Sequence, residues 1–265
     1  MLEDLSGLWT PAKSRPLLLG HRGARHAAPE NTFAAFDLAL DEGAEGVELD
    51  VRMNASGEVV VCHDVTLERV TEGLDLRAIH RLSARDCKAV RLAKGEPLPL
   101  LSDVLDWAER RHACVNVELK MDGPKRTELV LAVANLTRSR PVAGNVLISS
   151  FNPVAVLTHR ALAPGVPSAW LVDSSTLAKL PFLSLAGNVA LHPKHTLITA
   201  ERLAAWKRYV PRIHTWTVND PARARELAAL GVACLITDNP GLLARALEPA
   251  APVPNVDARS WELPK

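Results

Sequence analysis

Short apolar runs alternate with longer amphipathic stretches along most of the chain. The runs are PLLLG (16–20), GVELDV (46–51), VVVCH (59–63), CVNVEL (114–119), NVLISS (145–150), AWLV (169–172), NVALH (188–192), IHTWTV (213–218) and CLIT (234–237). Most are rich in Val, Ile and Leu without strict alternation, the pattern of strands covered on both faces. Helical patterns lie between them. Phe33, Phe36 and Leu40 recur at helical spacing behind PENT (29–32), with Asn31 or Thr32 as cap and Gly43 as stop. Further helices are expected from Ser102 or Asp103, from Pro124, from Pro153 through Leu162, from Asn219-Asp220-Pro221 to Gly231, and from Pro240. Strand–helix alternation repeated about eight times predicts a parallel sheet. With no Rossmann or P-loop glycine pattern in the sequence, a closed (β/α)8 TIM barrel is the expected α/β architecture.

This pattern divides the chain into an N-terminal extension (1–15), a barrel domain (16–247) and a proline-rich tail (248–265). A charged, Gly/Pro-punctuated segment at about 64–100 reads as an insertion on the barrel rim; Arg69, Arg77, Arg81, Arg85 and Arg91 alternate there with acids, as on a solvated face. Of 265 residues, 31 are Lys or Arg and 30 are Asp or Glu, so the formal charge is +1 and no field draws the chain to nucleic acid. The longest uncharged stretch, 141–159, contains two prolines and is no membrane span. Glu3 and Asp4 near the start argue against a signal peptide. Cys62, Cys87, Cys114 and Cys234 are far apart, with no CxxC, so free buried thiols and a cytoplasmic location are expected. The sequence carries no signal for an oligomeric state.

In a parallel barrel, residues at the C-terminal strand ends share one mouth. Glu48 and Asp50 are two apart, which puts both carboxylates on one face of a strand. Like charges held together need a cation, and hard oxygen donors suit Mg²⁺ or Ca²⁺ better than zinc. Glu118 and Lys120 repeat the spacing: a third ligand, and a cation for a bound anion. His21 and His63 each close an apolar run and form a candidate acid/base pair. Arg22 and Lys120 can clamp a phosphoryl group, and Gly23 permits close backbone approach. His192-Pro-Lys-His195 is expected in the mouth wall with His192 on the substrate side, whereas His26, His80, His112, His159 and His214 are read as structural.

HRGARHAAPENT (21–32), EGVELDVRMNASGEVVVCHD (45–64), VNVELK (115–120), SSF (149–151), WTVND (216–220) and GVACLITDNP (231–240) together resemble the glycerophosphodiester phosphodiesterase family, from about residue 16 to 247. KGEPLPLLSDVL (94–105) and ALHPKH (190–195) are similar to its short cytosolic bacterial members. The resemblance implies one divalent cation, Mg²⁺ or Ca²⁺ with Mn²⁺ a further option, on Glu48, Asp50 and Glu118. It implies acid/base roles for His21 and His63, phosphate contacts by Arg22 and Lys120, and an aromatic wall of Phe151 and Trp216 with Asn219 nearby. The small-molecule substrate it implies is a glycerophosphodiester, cleaved to glycerol 3-phosphate and an alcohol. Two departures bear on substrate preference: the insertion is short, and Arg25 and His26 stand where small residues are usual. The alternatives are a lysophospholipid phospholipase D, which needs an apolar trench from Trp9, Trp170 and residues 180–185, and a non-catalytic binding barrel.

Overall fold

All but one of the apolar runs become the staves of a single closed barrel. In this computed structural model the described residues are Trp9, Pro11, 15–138, Arg140, 145–174 and 189–248. The strands are β1 (Leu17–His21), β2 (Gly46–Met53), β3 (Val59–Val61), β4 (Cys114–Leu119), β5 (Val146–Ser150), β6 (Ser168–Val172), β7 (Ala190–Pro193), β8 (Arg212–Thr215) and β9 (Cys234–Thr237). All except β3 pair in parallel around the ring, and β1 closes it by pairing with both β9 and β2. Closure is the expected TIM barrel, and it leaves no parallel edge unpaired.

Side chains alternate across each stave. Val47, Leu49 and Val51 of β2 and Val115 and Val117 of β4 face outward onto Phe36, Val104, Leu105, Val130 and Val133 of the helical layer. Each such burial contributes roughly 1.5–3 kcal/mol. The inward set is apolar at the N-terminal ends, where Leu17, Cys114, Leu147, Ala190 and Cys234 cluster around Trp9. Trp9 is fully buried and seals the lower end of the barrel. One layer higher the inward positions turn polar, with His21, Glu48, Asp50, Asn116, Glu118 and Ser149.

The third apolar run departs from expectation. The pattern predicts VVVCH as another mouth-pointing strand, but β3 runs antiparallel to β2, with Val51 opposite Val61 and Met53 opposite Val59. Only residues 54–58 separate the two strands. A parallel crossover needs about a dozen residues, so five form a hairpin, with Gly57 at φ +84° in the turn. His63 reaches the mouth because β3 turns back towards it, and the Cys62 amide donates to the Asp50 carbonyl at 2.9 Å. Residues of the following segment build a small core of their own from Leu67, Val70, Ile79, Leu82, Cys87, Val90, Leu92 and Leu98.

Helix starts follow cap chemistry closely. Thr32 caps α1 (Phe33–Asp41), and a Ser83/Asp86 capping box opens α2 (Ala84–Ala89). Leu100, not Ser102 or Asp103, precedes α3 (Leu101–Arg111). α4 (Arg126–Thr137) starts two residues after Pro124. Asn152 caps α5 (Pro153–Leu162), Thr199 caps α6 (Ala200–Trp206), Asp220 caps α7 (Pro221–Ala229) and Asn239 caps α8 (Pro240–Ala246). Among the described residues, no helix is long and apolar enough to cross a membrane. Most of the 1–15 extension, the tail beyond Glu248 and residues 180–185 lie outside the described residues.

Candidate active site

The first strand–helix turn is shaped to push one guanidinium into the barrel mouth. Arg22 and Asn31 adopt left-handed backbone at φ +56° and +57°, a conformation costing about 1–2 kcal/mol for a residue with Cβ. Gly23 follows at φ +86°, and a Cβ there would stand 2.6 Å from Ala35. The turn is held by the Arg22 amide donating to the Glu48 carbonyl at 2.8 Å and the Asn31 amide donating to the Arg22 carbonyl at 2.9 Å. Arg22 Nε then stands 3.0 Å from Asp50 Oδ2, and its terminal nitrogen donates to Glu30 Oε1 at 2.9 Å.

Three buried carboxylates occupy neighbouring inward positions. Glu48, Asp50 and Glu118 each offer an oxygen within 4.8 Å of the others. Register dictates this: Asp50 of β2 lies directly beside Glu118 of β4. Lys120 Nζ sits 2.6 Å from Glu118 Oε1 and 3.0 Å from Asp50 Oδ1. Asn31 Nδ2 donates to Asp50 Oδ2 at 3.2 Å. Burial works against charge on Asp50, but Lys120 and Arg22 outweigh it and hold that carboxyl below its usual range. Burial, then repulsion from Asp50 and Glu118, pushes Glu48 well up. Burial and Asp50 lift Glu118 to about 7 despite Lys120. Burial also opposes the charges on Lys120 and Arg22, yet Asp50, with Glu118 beside Lys120 and Glu30 beside Arg22, keeps both firmly protonated. Glu48 and Glu118 resist ionisation for want of further positive charge, and with Asp50 they form an all-oxygen donor set, which fits a hard divalent cation.

Each candidate histidine has its Nδ1 tied to a carboxylate. His63 pairs with Asp64 Oδ1 at 2.7 Å, and its carbonyl accepts from Arg52 at 2.8 and 2.6 Å. Burial pushes His63 down in spite of Asp50 and Asp64. His21 Nδ1 pairs with Asp238 Oδ1 at 2.7 Å, while its Nε2 lies 3.9 Å from Glu48 Oε2. Asp238 is steadied by Asn219, whose Nδ2 donates to Oδ2 at 2.7 Å and whose Oδ1 accepts the Asp238 amide at 2.9 Å. Burial opposes the Asp238 charge, but the bonds from His21 and Asn219 hold its carboxyl below the usual range.

His21, Arg22, Glu48, His63, Glu118, Lys120, Phe151 and Trp216 line one cavity of about 260 Å³, and Asp50 lies beneath their charges. Phe151 and Trp216 meet edge to face at 5.5 Å, and Trp216 Nε1 donates to the His192 carbonyl at 2.9 Å. Asn219 stands behind this wall, engaged with Asp238 rather than facing the cavity. His192 is not on the substrate side. It is fully buried inside the barrel, with Nε2 3.0 Å from His214 Nδ1, and His214 stacks on Trp9. Burial drives His192 down to about 3 and His214 well below its ordinary value, so the pair is neutral. The inward parity of β7 decides this. Trp9 and Trp170 are both buried and form no apolar trench.

Four contributors went unassigned in the sequence. Asp64 directly follows His63, and Asp238 closes the CLIT run, so the strand-end rule used for His21 would have found both. Glu30 lies within PENT but had no visible partner. Arg69, expected on a solvated face, donates to Asp64 Oδ2 at 2.6 Å and to both oxygens of Glu30 at 2.9 and 2.7 Å.

Residues 21–242 match the model of the glycerophosphoryl diester phosphodiesterase family. A glycerophosphodiester phosphodiesterase of Caldanaerobacter subterraneus subsp. tengcongensis is 28% identical, over 86% of this chain and 96% of its own. The crystal structure of a glycerophosphodiester phosphodiesterase from Agrobacterium tumefaciens superimposes with a TM-score of 0.73 at 29% identity, covering 87% of this chain and 98% of that one. An Oleispira antarctica phosphodiesterase, solved with the product sn-glycerol-3-phosphate, shares the fold with a TM-score of 0.78 at 24% identity, covering 89% and 98%.

Proposed function

The chain belongs to the glycerophosphoryl diester phosphodiesterase family, and on that premise we propose how its own residues cleave a glycerophosphodiester to glycerol 3-phosphate and an alcohol. The catalytic unit is the barrel over 16–247, with 64–100 as its rim insertion. The phosphoryl group lies between Arg22 and Lys120, whose charges are aimed where negative charge grows on the phosphoryl oxygens. One histidine of the His21/His63 pair takes the proton of the attacking hydroxyl as its oxygen bonds to phosphorus. The other gives its proton to the departing alcohol oxygen as its P–O bond breaks; attack by water gives glycerol 3-phosphate directly, and attack by the glycerol 2-hydroxyl gives a cyclic phosphate that a water then opens. Phe151 and Trp216 flank the carbon skeleton of the substrate. Asn219 serves the site through Asp238 and His21.

Glu48, Asp50 and Glu118 would hold one divalent cation, Mg²⁺ or Ca²⁺, which supplies positive charge against the phosphoryl oxygens when bound. Lys120, which pairs with Glu118 and Asp50, stands beside that cluster and offers its ammonium to the phosphoryl group. Four buried cysteines, all free, fit a reducing compartment, and the cytoplasm is the location we propose.

One observation carries this reading: two carboxylate-oriented imidazoles line the same cavity as Arg22 and Lys120. The test is hydrolysis of glycerophosphodiesters by chelator-stripped protein across a series of divalent ions. Activity should vanish with chelator and return with Mg²⁺ or Ca²⁺, and Glu48→Gln, Asp50→Asn and Glu118→Gln should each raise the activating ion concentration. Full turnover in excess chelator would remove the metal from the reaction. Inactivity with every substrate and ion would leave a non-catalytic barrel.

A further inference from the structure

We propose that Arg69, on the rim insertion, is a positioning residue that holds the general acid/base His63 and the phosphate-binding Arg22 in one hydrogen-bonded frame. The proposal rests on the roles given above to His63 and Arg22. Arg69 is not among the residues lining the cavity, so it acts through its partners. Its guanidinium reaches two carboxylates at once: Nε donates to Asp64 Oδ2, and the two terminal nitrogens donate to Glu30. Each carboxylate spends its other bond on a residue of the site. Asp64 Oδ1 takes the His63 ring at 2.7 Å, and Glu30 Oε1 takes Arg22 at 2.9 Å. The chain His63–Asp64–Arg69–Glu30–Arg22 is therefore continuous, and among the described residues Arg69 is the side chain that bonds both Asp64 and Glu30.

The chemistry favours a guanidinium at this junction. A planar fork satisfies two carboxylates in fixed directions, which an ammonium cannot do. Asp64 follows His63 directly and has an exposed side chain of 28%, so without Arg69 it would be free to turn into solvent. Arg22 and Asn31, the residue after Glu30, hold left-handed backbone, so the turn that carries Glu30 and Arg22 tolerates few alternatives. The backbone around Arg69 is anchored on both sides, since Leu67 is fully buried and Val70 nearly so in the insertion core. Arg69 itself is 48% exposed, so its removal leaves an opening to solvent rather than a void in the core. The insertion thus contributes to hydrolysis by orienting two groups of the barrel.

The test is kinetic and spectroscopic. Arg69→Ala should lower kcat about tenfold or more on a glycerophosphodiester with a poor leaving group, with a melting temperature close to wild type. In an Asp64→Asn background the same change should cost clearly less, because the link to His63 is already broken. Millimolar guanidinium chloride should restore Arg69→Ala turnover saturably, and ammonium chloride at equal ionic strength should not. Arg69→Lys, which keeps the charge and loses the fork, should show most of the same loss. Wild-type kcat in Arg69→Lys and Arg69→Ala, or losses fully additive with Asp64→Asn, would overturn the proposal. A readout independent of turnover is ¹⁵N NMR of His63. The wild type should hold one tautomer with Nδ1 protonated, and Arg69→Ala should mix the two. An unchanged His63 spectrum in Arg69→Ala would also overturn the proposal, whether or not the wild-type protein hydrolyses the substrates offered. Absence of wild-type hydrolysis alone would count against the reaction, not against this frame.

Discussion

Replacing Asp238 by Asn should invert the tautomer of His21, and the surrounding hydrogen bonds predict how that inversion can be undone. Asn219 Oδ1 accepts from the Asp238 amide at 2.9 Å and from Thr237 Oγ1 at 3.1 Å, so its Nδ2 is committed to Asp238 Oδ2 at 2.7 Å. In Asp238→Asn the new carbonyl must therefore face Asn219, and the new amino group must face His21 Nδ1. The ring then accepts at Nδ1 and carries its proton on Nε2, the reverse of the wild type. Flipping the amide to keep the original tautomer sets two amino groups against each other in a half-buried site. The lost bond and the unmet donor cost roughly 1–3 kcal/mol, which depletes the working tautomer by about 5- to 150-fold. Loss of the carboxylate that stabilises a charged imidazole adds to this, so kcat should fall by roughly 10²- to 10⁴-fold. Asn219→Ala removes the constraint on the amide, which can then turn its oxygen to His21. The double variant Asn219→Ala/Asp238→Asn should accordingly turn over faster than Asp238→Asn alone. The assay is kcat on one glycerophosphodiester for the four members of the cycle, with melting temperatures as a folding control. A double variant no faster than the Asp238→Asn single would refute the tautomer argument.

The division of labour between the histidines is tested with a nitrophenyl phosphodiester, whose departing oxygen needs no proton. Substituting the acid should cost little there and roughly 10²-fold or more on a glycerol ester, whereas substituting the base should cost both alike; equal losses everywhere would point to an orienting role for at least one ring. Burial works against charge on Asp64, but hydrogen bonds from Arg69 and His63 outweigh it and pull the carboxyl down to about 2. A carboxyl depressed on folding stabilises fully above its unfolded value of about 4 and loses that contribution as pH falls towards 2. The stability gap between wild type and Asp64→Asn in urea titrations should therefore shrink over that interval, and a constant gap would contradict it. Trp9→Ala should destabilise the fold by about 3–5 kcal/mol by opening the lower barrel end, measured by denaturant unfolding, while the catalytic groups keep their positions and kcat is retained.

Much of the architecture was readable without coordinates, and the reasons are local. Strand and helix periods come from backbone geometry, so nine apolar runs and the intervening caps located the elements, and Thr32, Asp220 and Pro153 fell where cap chemistry puts them. The i, i+2 spacing of Glu48 and Asp50 is a property of any strand, and it placed both carboxylates inside. The antiparallel β3 was not anticipated from the apolar runs, although the short link between β2 and β3 excludes a parallel crossover. Other features depended on which residues closure brings together. His21 and Asp238 are 217 positions apart and meet only because β1 pairs with β9 at the closing seam. His192 carries the same sequence signal as a mouth histidine, yet the inward parity of β7 and the tryptophan below it make it half of a buried neutral pair. Arg69 looks like any arginine of a charged loop until the insertion folds over the barrel rim and lays it between Asp64 and Glu30. Local periods and the residue types available for chemistry follow from the order of residues along the chain. The tertiary structure alone decided which of those residues share a proton or a charge, because hydrogen bonds and ion pairs act over about 3 Å and separation along the chain says nothing of that distance.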